Sequence, residues 1–240
     1  MLALIALLGC NTEGCLGGGP DCRVEPPCAS LTFTCDGGVA AWSRVEAGGV
    51  LASNNYGAAS PGDWVLDNGT VRATISDLDH PHYIAPTGGN LVDLQTYGAD
   101  GTLRADDALR NIYHVGGLLP TEAVAYTAIE AFMDGENAVV QVRGTYDDDG
   151  DVDVYTRYEL GPCDSGVRVR TELVNRHVEP ESVFLADVLY IGGRGLLAFA
   201  PGEDLGLKHP SFGLTTLKAG LREVPWVAAG AQESGRTALS

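Results

Sequence analysis

The sequence predicts an all-β protein: an antiparallel supersandwich of two or more large packed sheets with little helix. Apolar residues recur at every second position in several short runs, and turn dipeptides separate those runs. No window keeps a helical period. Short alternating runs joined by tight turns are typical of antiparallel sandwiches. With 45% hydrophobic residues the chain can bury a core, which excludes a disordered protein.

The alternating runs define the predicted strands. In chain order these are 31–35, 71–75, 139–142, 152–160, 167–174 and 183–191. The turn signals between them are Asp67-Asn68-Gly69, Asp134-Gly135, Asp149-Gly150, Ser165-Gly166 and Gly192-Gly193. Residues 104–111 are the one segment that fits a short helix.

The run at 167–174 predicts which individual side chains face the core and which face solvent. Successive side chains of a strand point to opposite faces of the sheet. The apolar set should face the core and the charged set should face solvent. The inward residues are Val167, Val169 and Leu173, and the outward residues are Arg168, Arg170 and Glu172.

The N-terminus reads as a lipoprotein signal. Leu7-Leu8-Gly9-Cys10 closes a short apolar run and resembles the lipobox of bacterial lipoproteins. The resemblance implies that residues 1–10 are a signal peptide, that Cys10 is lipidated, and that the lipid anchors the protein to a membrane. Asn11 then favours the outer membrane of the cell envelope, with secretion as the alternative. No Lys or Arg precedes Cys10, so an apolar N-terminus of a cytosolic protein stays open.

Six cysteines divide into groups. After Cys10, four lie close together at Cys15, Cys22, Cys28 and Cys35, at spacings that fit zinc poorly. They predict two disulfides of three possible connectivities in an oxidising compartment, or reduced cysteines in a disordered leader. Cys163 is then unpaired. Residues 11–30 are a Gly-, Pro- and Cys-rich tether, and residues 31–240 are the β domain.

The charge balance of the chain argues against nucleic acid as a partner. The chain has 15 basic and 32 acidic residues and a net charge of −17. Such a chain repels phosphate backbones, so we expect no nucleic-acid binding. Cations and neutral sugars remain compatible with it.

Two acidic segments are candidate ligand sites. Asp77, Asp79, His80 and His82 form the densest cluster of ligand-type side chains, suited to a metal or a polar ligand. Asp147, Asp149, Asp151 and Asp153 surround Gly150 and suit calcium, although the spacing is not that of an EF-hand. The alternatives are a polar loop for the first and a solvated hairpin tip for the second. We expect no cofactor other than this calcium.

Three stretches resemble a known family. A short alternating strand begins at Asn68-Gly69-Thr70. Thr87-Gly88-Gly89-Asn90 leads into an apolar strand, and the run 167–175 ends in Asn before a loop at 177–181. This order resembles galactose-mutarotase-like supersandwich domains, the β domains of polysaccharide lyases, and the leading β domain of some secreted metallohydrolases. The likeness covers roughly residues 62–200. It implies carbohydrate as a ligand and allows the chain to be the front part, truncated after Ser240, of a larger hydrolase.

Two functions follow. The first is a non-catalytic, carbohydrate-binding-like or structural module on a lipid anchor. The second is a sugar epimerase or lyase-type enzyme that uses a His/Glu pair. The candidate residues for that pair are His114, His177, Glu122, Glu159 and Glu172. The aromatic residues that could stack on sugar rings are Trp42, Trp64, Trp226, Tyr83, Tyr97 and Tyr113.

Overall fold

The protein is built from antiparallel strands. The computed structural model describes residues 33–47, 58–82, 85–104, 109–115, 123–146, 150–179, 185–191, 196–199, 228–231 and 236–239. The strands are β1 (Ala41–Arg44), β2 (Trp64–Asp67), β3 (Val71–Ile75), β4 (Leu91–Thr96), β5 (Leu109–Val115), β6 (Ala125–Asp134), β7 (Asn137–Thr145), β8 (Val152–Leu160), β9 (Arg168–Asn175), β10 (Ala186–Ile191), β11 (Leu196–Phe199), β12 (Ala228–Ala231) and β13 (Arg236–Leu239). No helix occurs in these ranges, which confirms the all-β class.

Two of the three sheets form the sandwich. A six-stranded sheet has the order β1-β2-β3-β4-β5-β10, and a four-stranded sheet has the order β6-β7-β8-β9. Both lie within one compact unit, Cys35–Gly192. The sheet β11-β12-β13 belongs to a second unit, a division that the sequence did not indicate.

The inner faces of the two larger sheets make the core. Leu66, Ile75, Leu91 and Ile112 line one inner face and are almost entirely buried. Alternate residues of β7 and β8 line the other: Ala138, Val140, Val142, Val154 and Tyr158. The Tyr158 hydroxyl reaches across the core and donates to the Gly89 carbonyl at 3.1 Å.

The predicted Gly-Gly turn before β4 is present, and both glycines are required. A Cβ on Gly88 would lie 1.6 Å from the Asp77 carbonyl oxygen. Gly89 has a φ of 86°, and a Cβ there would lie 3.1 Å from a Val142 methyl carbon. Gly88 therefore packs against the loop after β3 and Gly89 against the opposite sheet, with no room for a side chain at either position.

Most predicted strands are confirmed. β3 and β8 match residues 71–75 and 152–160, while β7, β9 and β10 contain most of the other predicted runs. Two expectations are wrong. Residues 33–35 are not a strand, and Leu109–Asn111 begin β5 rather than ending a helix. Pairing of β5 with β10 satisfies its backbone groups, so tertiary structure overrides the local preference.

The predicted orientation of the 167–174 run is also confirmed. Val167 is buried, and Val169 and Leu173 are half-buried on the inner side. Arg170 and Glu172 are exposed, whereas Arg168 on the same side is half-buried because it pairs with Asp164 and Glu159. Burial is shallow because β9 is an edge strand of the four-stranded sheet.

The cysteine pairing differs from the expectation. Cys35 forms a disulfide with Cys163, with the two Cα atoms 5.3 Å apart. Cys163 is therefore not an unpaired thiol, and Cys35 does not pair within the N-terminal cluster. The Asn68 side-chain amide donates to the carbonyls of Gly161 and Asp164, both at 2.8 Å. These hydrogen bonds fix the turn between β8 and β9, which carries Cys163.

The N-terminal predictions lie outside the described residues. These are the signal peptide at 1–10, the tether at 11–30, and Cys10, Cys15, Cys22 and Cys28. In the part of the chain that the structure describes, no helix is long and apolar enough to cross a bilayer.

Candidate functional site

The predicted Asp77–His82 cluster is the loop that follows β3, and a residue missed from the sequence organises it. Asp63, just before β2, is fully buried. Its Oδ1 accepts from the Asp77 backbone N–H at 2.8 Å and from His80 Nδ1 at 2.7 Å. Its Oδ2 accepts from the Ser60 backbone N–H at 2.6 Å. One carboxylate thus fixes the loop before β2 and the loop after β3.

The Asp63 contact sets the state of His80. A carboxylate only accepts hydrogen bonds, so Nδ1 of the ring carries a proton, and in the neutral tautomer Nε2 offers a lone pair. The His80 side chain is 34% exposed, so the ring is partly open to solvent. A buried carboxylate behind a partly exposed imidazole is an arrangement suited to proton transfer or hydrogen bonding.

An aromatic and charged group flanks His80. Arg44, on the edge strand β1, forms an ion pair with Asp77 and stacks 4.0 Å from the centroid of the Trp64 ring. The Trp42 and Trp64 rings lie 5.8 Å apart at 53°. Gly62 lies between Arg44 and His80, since a Cβ there would be 3.8 Å from Arg44 Nη2 and 3.5 Å from His80 Cε1. We call Trp42, Arg44, Trp64, Asp77 and His80 the tryptophan–histidine patch.

His82 lies deeper in the same loop. Burial lowers the pKa of its imidazole, the carboxylate of Asp63 opposes this, and His80 adds to it. Its Nε2 is buried and has no hydrogen-bond partner among the residues that the structure describes. The Asn111 side-chain amide donates to the His82 carbonyl at 3.2 Å and ties the loop to β5.

The loop is arranged for hydrogen bonding more than for metal binding. Asp77 is occupied by Arg44, and Asp79 points into solvent. Among the described residues, no three His, Cys, Asp or Glu side chains converge as metal ligands.

The predicted calcium segment is described only in part. Asp147 and Asp149 lie outside the described residues. Asp153 is buried, and its Oδ2 accepts from Arg176 Nε at 2.6 Å and from Arg143 Nη2 at 3.2 Å. The hydrogen bond from Arg176 lowers the pKa of the Asp153 carboxyl. Two guanidinium groups hold this oxygen, which argues against Asp153 as a calcium ligand. The backbone carbonyl of Asp151 accepts a hydrogen bond from the backbone N–H of Arg176 at 2.7 Å.

The His/Glu pairs expected for an enzyme are not formed in the described residues. His114 bonds Asp187, at 2.5 Å between Nδ1 and Oδ1. Glu159 accepts from Arg157 and Asn137, while Glu172 and His177 are exposed. Glu122 lies outside the described residues. The carboxylates that meet the histidines, Asp63 and Asp187, carry no sequence signal because distant segments supply them.

The two remaining aromatic candidates that the structure describes, Tyr97 and Tyr113, do not join the patch. Tyr113 is buried in a small apolar cluster. The Tyr97 hydroxyl donates to Asp67 at 2.5 Å, and burial together with this hydrogen bond raises the pKa of Tyr97 to about 12. Tyr83 and Trp226 lie outside the described residues.

Comparison of the chain with protein-family models, with curated proteins and with solved structures finds no match.

Proposed function

We propose that this chain is a lipid-anchored protein of the cell envelope whose β-sandwich binds carbohydrate at the tryptophan–histidine patch. The observation that carries the proposal is the exposed ring of Trp42, 39% exposed, beside polar groups already fixed by the fold. Sugar rings present apolar C–H faces that stack on aromatic rings, and hydroxyls that need donors and acceptors.

Each member of the patch has a role in this proposal. Trp42 is the stacking platform. Arg44 is held in place by Trp64 and Asp77, and its remaining N–H groups donate to sugar hydroxyls. His80 Nε2 accepts from a hydroxyl. Because Asp63 and the Trp64 ring already orient these groups, little side-chain entropy is lost on binding.

Two further parts of the proposal come from the sequence. Acylation of Cys10 would tether the sandwich to a membrane, with the outer membrane favoured. The resemblance to galactose-mutarotase-like supersandwiches supports a sugar ligand, and it leaves room for a hydrolase domain in a longer chain. The sandwich of two antiparallel sheets is compatible with that resemblance.

Binding is tested by calorimetry of the folded chain against neutral oligosaccharides. We expect Trp42→Ala to weaken binding by about tenfold, the equivalent of about 1.4 kcal/mol. Tyr190→Ala is the matched control, since Tyr190 is 42% exposed on β10, the opposite edge of the same sheet, and also has an arginine 5.8 Å from its ring. Equal losses in both variants, or no binding by the wild type, would contradict the proposal.

The anchor is tested separately by metabolic labelling with a fatty-acid probe. We expect the wild type to be labelled and to sediment with membranes, and Cys10→Ser to be neither. A soluble, unlabelled wild-type protein would end this part of the proposal.

An enzyme of the sugar-epimerase or lyase type is the second candidate, and the Asp63–His80 pair favours it. Here His80 would be the general base, oriented by Asp63 in place of the expected glutamate. The two functions differ in a turnover assay on aldoses and uronate polymers. Loss of turnover in His80→Gln with sugar affinity retained would select the enzyme.

A further inference from the structure

A hydroxyl, an imidazole and a carboxylate lie in line where the two larger sheets meet, away from the tryptophan–histidine patch. Thr171 Oγ1 on β9 is 2.9 Å from His114 Nε2 on β5. His114 Nδ1 is 2.5 Å from Asp187 Oδ1 on β10, the residue that pairs with His114 across the strands. The three groups come from three strands of two sheets, so the fold itself assembles them.

The hydrogen-bond pattern fixes the proton positions. When Nδ1–H donates to the Asp187 carboxylate, Nε2 of a neutral imidazole accepts a hydrogen bond from the Thr171 hydroxyl. Desolvation and the neighbouring His114 shift the pKa of Asp187 in opposite directions. Desolvation acts to raise the pKa of its carboxyl, but the hydrogen bond and charge of His114 outweigh this and lower that pKa. Asp187 therefore stays ionised and orients the ring.

Two more hydroxyl groups, on Thr156 and Tyr126, extend the hydrogen-bonded chain that ends at Thr171. Thr156 lies 3.1 Å from Thr171 Oγ1, and Tyr126 OH lies 2.8 Å from Thr156 Oγ1. Burial raises the pKa of Tyr126 far above neutrality, so Tyr126 keeps its proton and stays a donor. Tyr126 donates to Thr156, and Thr156 donates to Thr171. A hydrogen bond donated to Thr171 Oγ1 stabilises negative charge that develops there as the hydroxyl loses its proton.

The position of Thr171 gives it access to a small molecule. Thr171 is half-buried on the edge strand β9, the Asp187 side chain is 43% exposed, and His114 is buried. Val169 and Leu173 flank Thr171 on the same face of β9 and are half-buried. An acyl group bound at Thr171 would contact these two side chains at the edge of the sandwich.

We propose that Thr171, His114 and Asp187 form a nucleophile, a general base and an orienting carboxylate that hydrolyse small carboxylic esters. This site is independent of the proposed sugar binding. The same three roles recur on unrelated folds and are recognised by geometry rather than by sequence position.

The reaction balances with water as the second reactant. Thr171 Oγ1 attacks the ester carbonyl carbon while its proton passes to His114 Nε2. The bond from the carbonyl carbon to the leaving oxygen breaks, and that oxygen takes the proton from His114, which leaves an acyl ester on Thr171. Water then attacks this ester, His114 takes and returns one proton, and the free acid and the Thr171 hydroxyl are released.

The test uses the full folded chain with p-nitrophenyl acetate as substrate and an alkyl fluorophosphonate as covalent probe. We expect release of p-nitrophenol above the buffer rate and probe attached to the peptide that contains Thr171. Thr171→Val keeps the shape of the side chain and removes the hydroxyl, so the enzymatic rate should fall by about a hundredfold or more. Thr171→Ser should keep measurable activity, because the hydroxyl remains.

The control is Thr127→Val, which removes an exposed threonine hydroxyl on β6. It should leave rate and labelling unchanged. Thermal unfolding of each variant identifies any that fail to fold. If Thr171→Val is one of them, the residue that carries the covalent probe in the folded wild type decides, and a probe on any residue other than Thr171 overturns the proposal. Hydrolysis no faster than buffer by the folded wild type, probe on another residue, or an unchanged rate in folded Thr171→Val would overturn the proposal.

Discussion

At the scale of single residues, Asp63 contributes most to the candidate site. It accepts three hydrogen bonds from two loops while fully buried. Nothing in its sequence context marks it, whereas the Asp77–His82 cluster is visible from composition alone. Local sequence could predict which side chains are present in the loop, but not which buried group aligns them.

Removing the Asp63 carboxylate should therefore destabilise the fold. In Asp63→Ala the part-buried donors from Ser60, Asp77 and His80 lose their buried acceptor, which costs about 3 kcal/mol of the free energy of unfolding. Urea unfolding followed by tryptophan fluorescence measures this. Asp79→Ala is the control, since Asp79 is exposed in the same loop. A loss no larger than that of the control would show that the hydrogen bonds to Asp63 contribute little.

The lowered pKa of the Asp153 carboxyl predicts how the stability of the fold depends on pH. The hydrogen bond from Arg176 lowers the pKa of this carboxyl in the folded protein below its unfolded value of about 3.9. Its contribution is present above that pH and is lost as the pH falls through the lower, folded pKa. Thermal melting between pH 7 and pH 2 should therefore show a steeper acid decline for the wild type than for Asp153→Asn. Asp36→Asn, at an exposed carboxylate, should follow the wild type; an acid decline in Asp153→Asn as steep as in the wild type would contradict this assignment.

At the scale of elements, the predictable strands are those with a clean alternation. β3 and β8 alternate without interruption and were predicted to the residue. β1 has only four residues, all exposed, and β6 mixes Ala, Glu, Met and Phe around a register shift between Tyr126 and Ala128. Both strands form because they pair with a neighbour, and a local pattern cannot report that partner. Since β1 carries Trp42 and Arg44, the site was harder to predict than the core.

The Gly88-Gly89 turn gives a prediction for one element. Gly88→Ala would place a methyl group against the Asp77 carbonyl, and the forced shift of β4 should cost about 3 kcal/mol. Gly101→Ala is the control for backbone strain alone, because Gly101 has a φ of 74° and open space around it. We expect it to cost about 1 kcal/mol. Equal losses in urea unfolding would show that the close approach at Gly88 is relieved without cost.

At the scale of the whole molecule, one disulfide joins the segment before β1 to the turn between β8 and β9. Cys35 and Cys163 are separated by 128 residues, and no spacing rule in the sequence could identify this pair. The disulfide ties together the two sheets of the sandwich within the Cys35–Gly192 unit. It therefore restricts the unfolded chain strongly.

Removing this disulfide should destabilise the sandwich as a whole. Cys35→Ala with Cys163→Ala should lower the free energy of unfolding by about 4 kcal/mol, because the closed loop is long. Peptide mapping without reductant should recover the peptides of Cys35 and Cys163 linked to each other. Recovery of Cys35 linked to Cys15, Cys22 or Cys28 would contradict the structure and restore the pairing expected from the sequence.

The most direct test of carbohydrate binding is an NMR titration of the three tryptophan indole N–H signals with neutral oligosaccharides, each signal assigned by a Trp→Phe variant. If the tryptophan–histidine patch binds sugar, the signal of Trp42 shifts in a saturable way, and that of Trp64 follows because its ring lies 5.8 Å from Trp42. If no oligosaccharide moves the Trp42 signal while other resonances of the protein shift, the sugar binds elsewhere and the proposed site is wrong. If no resonance shifts at all, the protein does not bind these sugars.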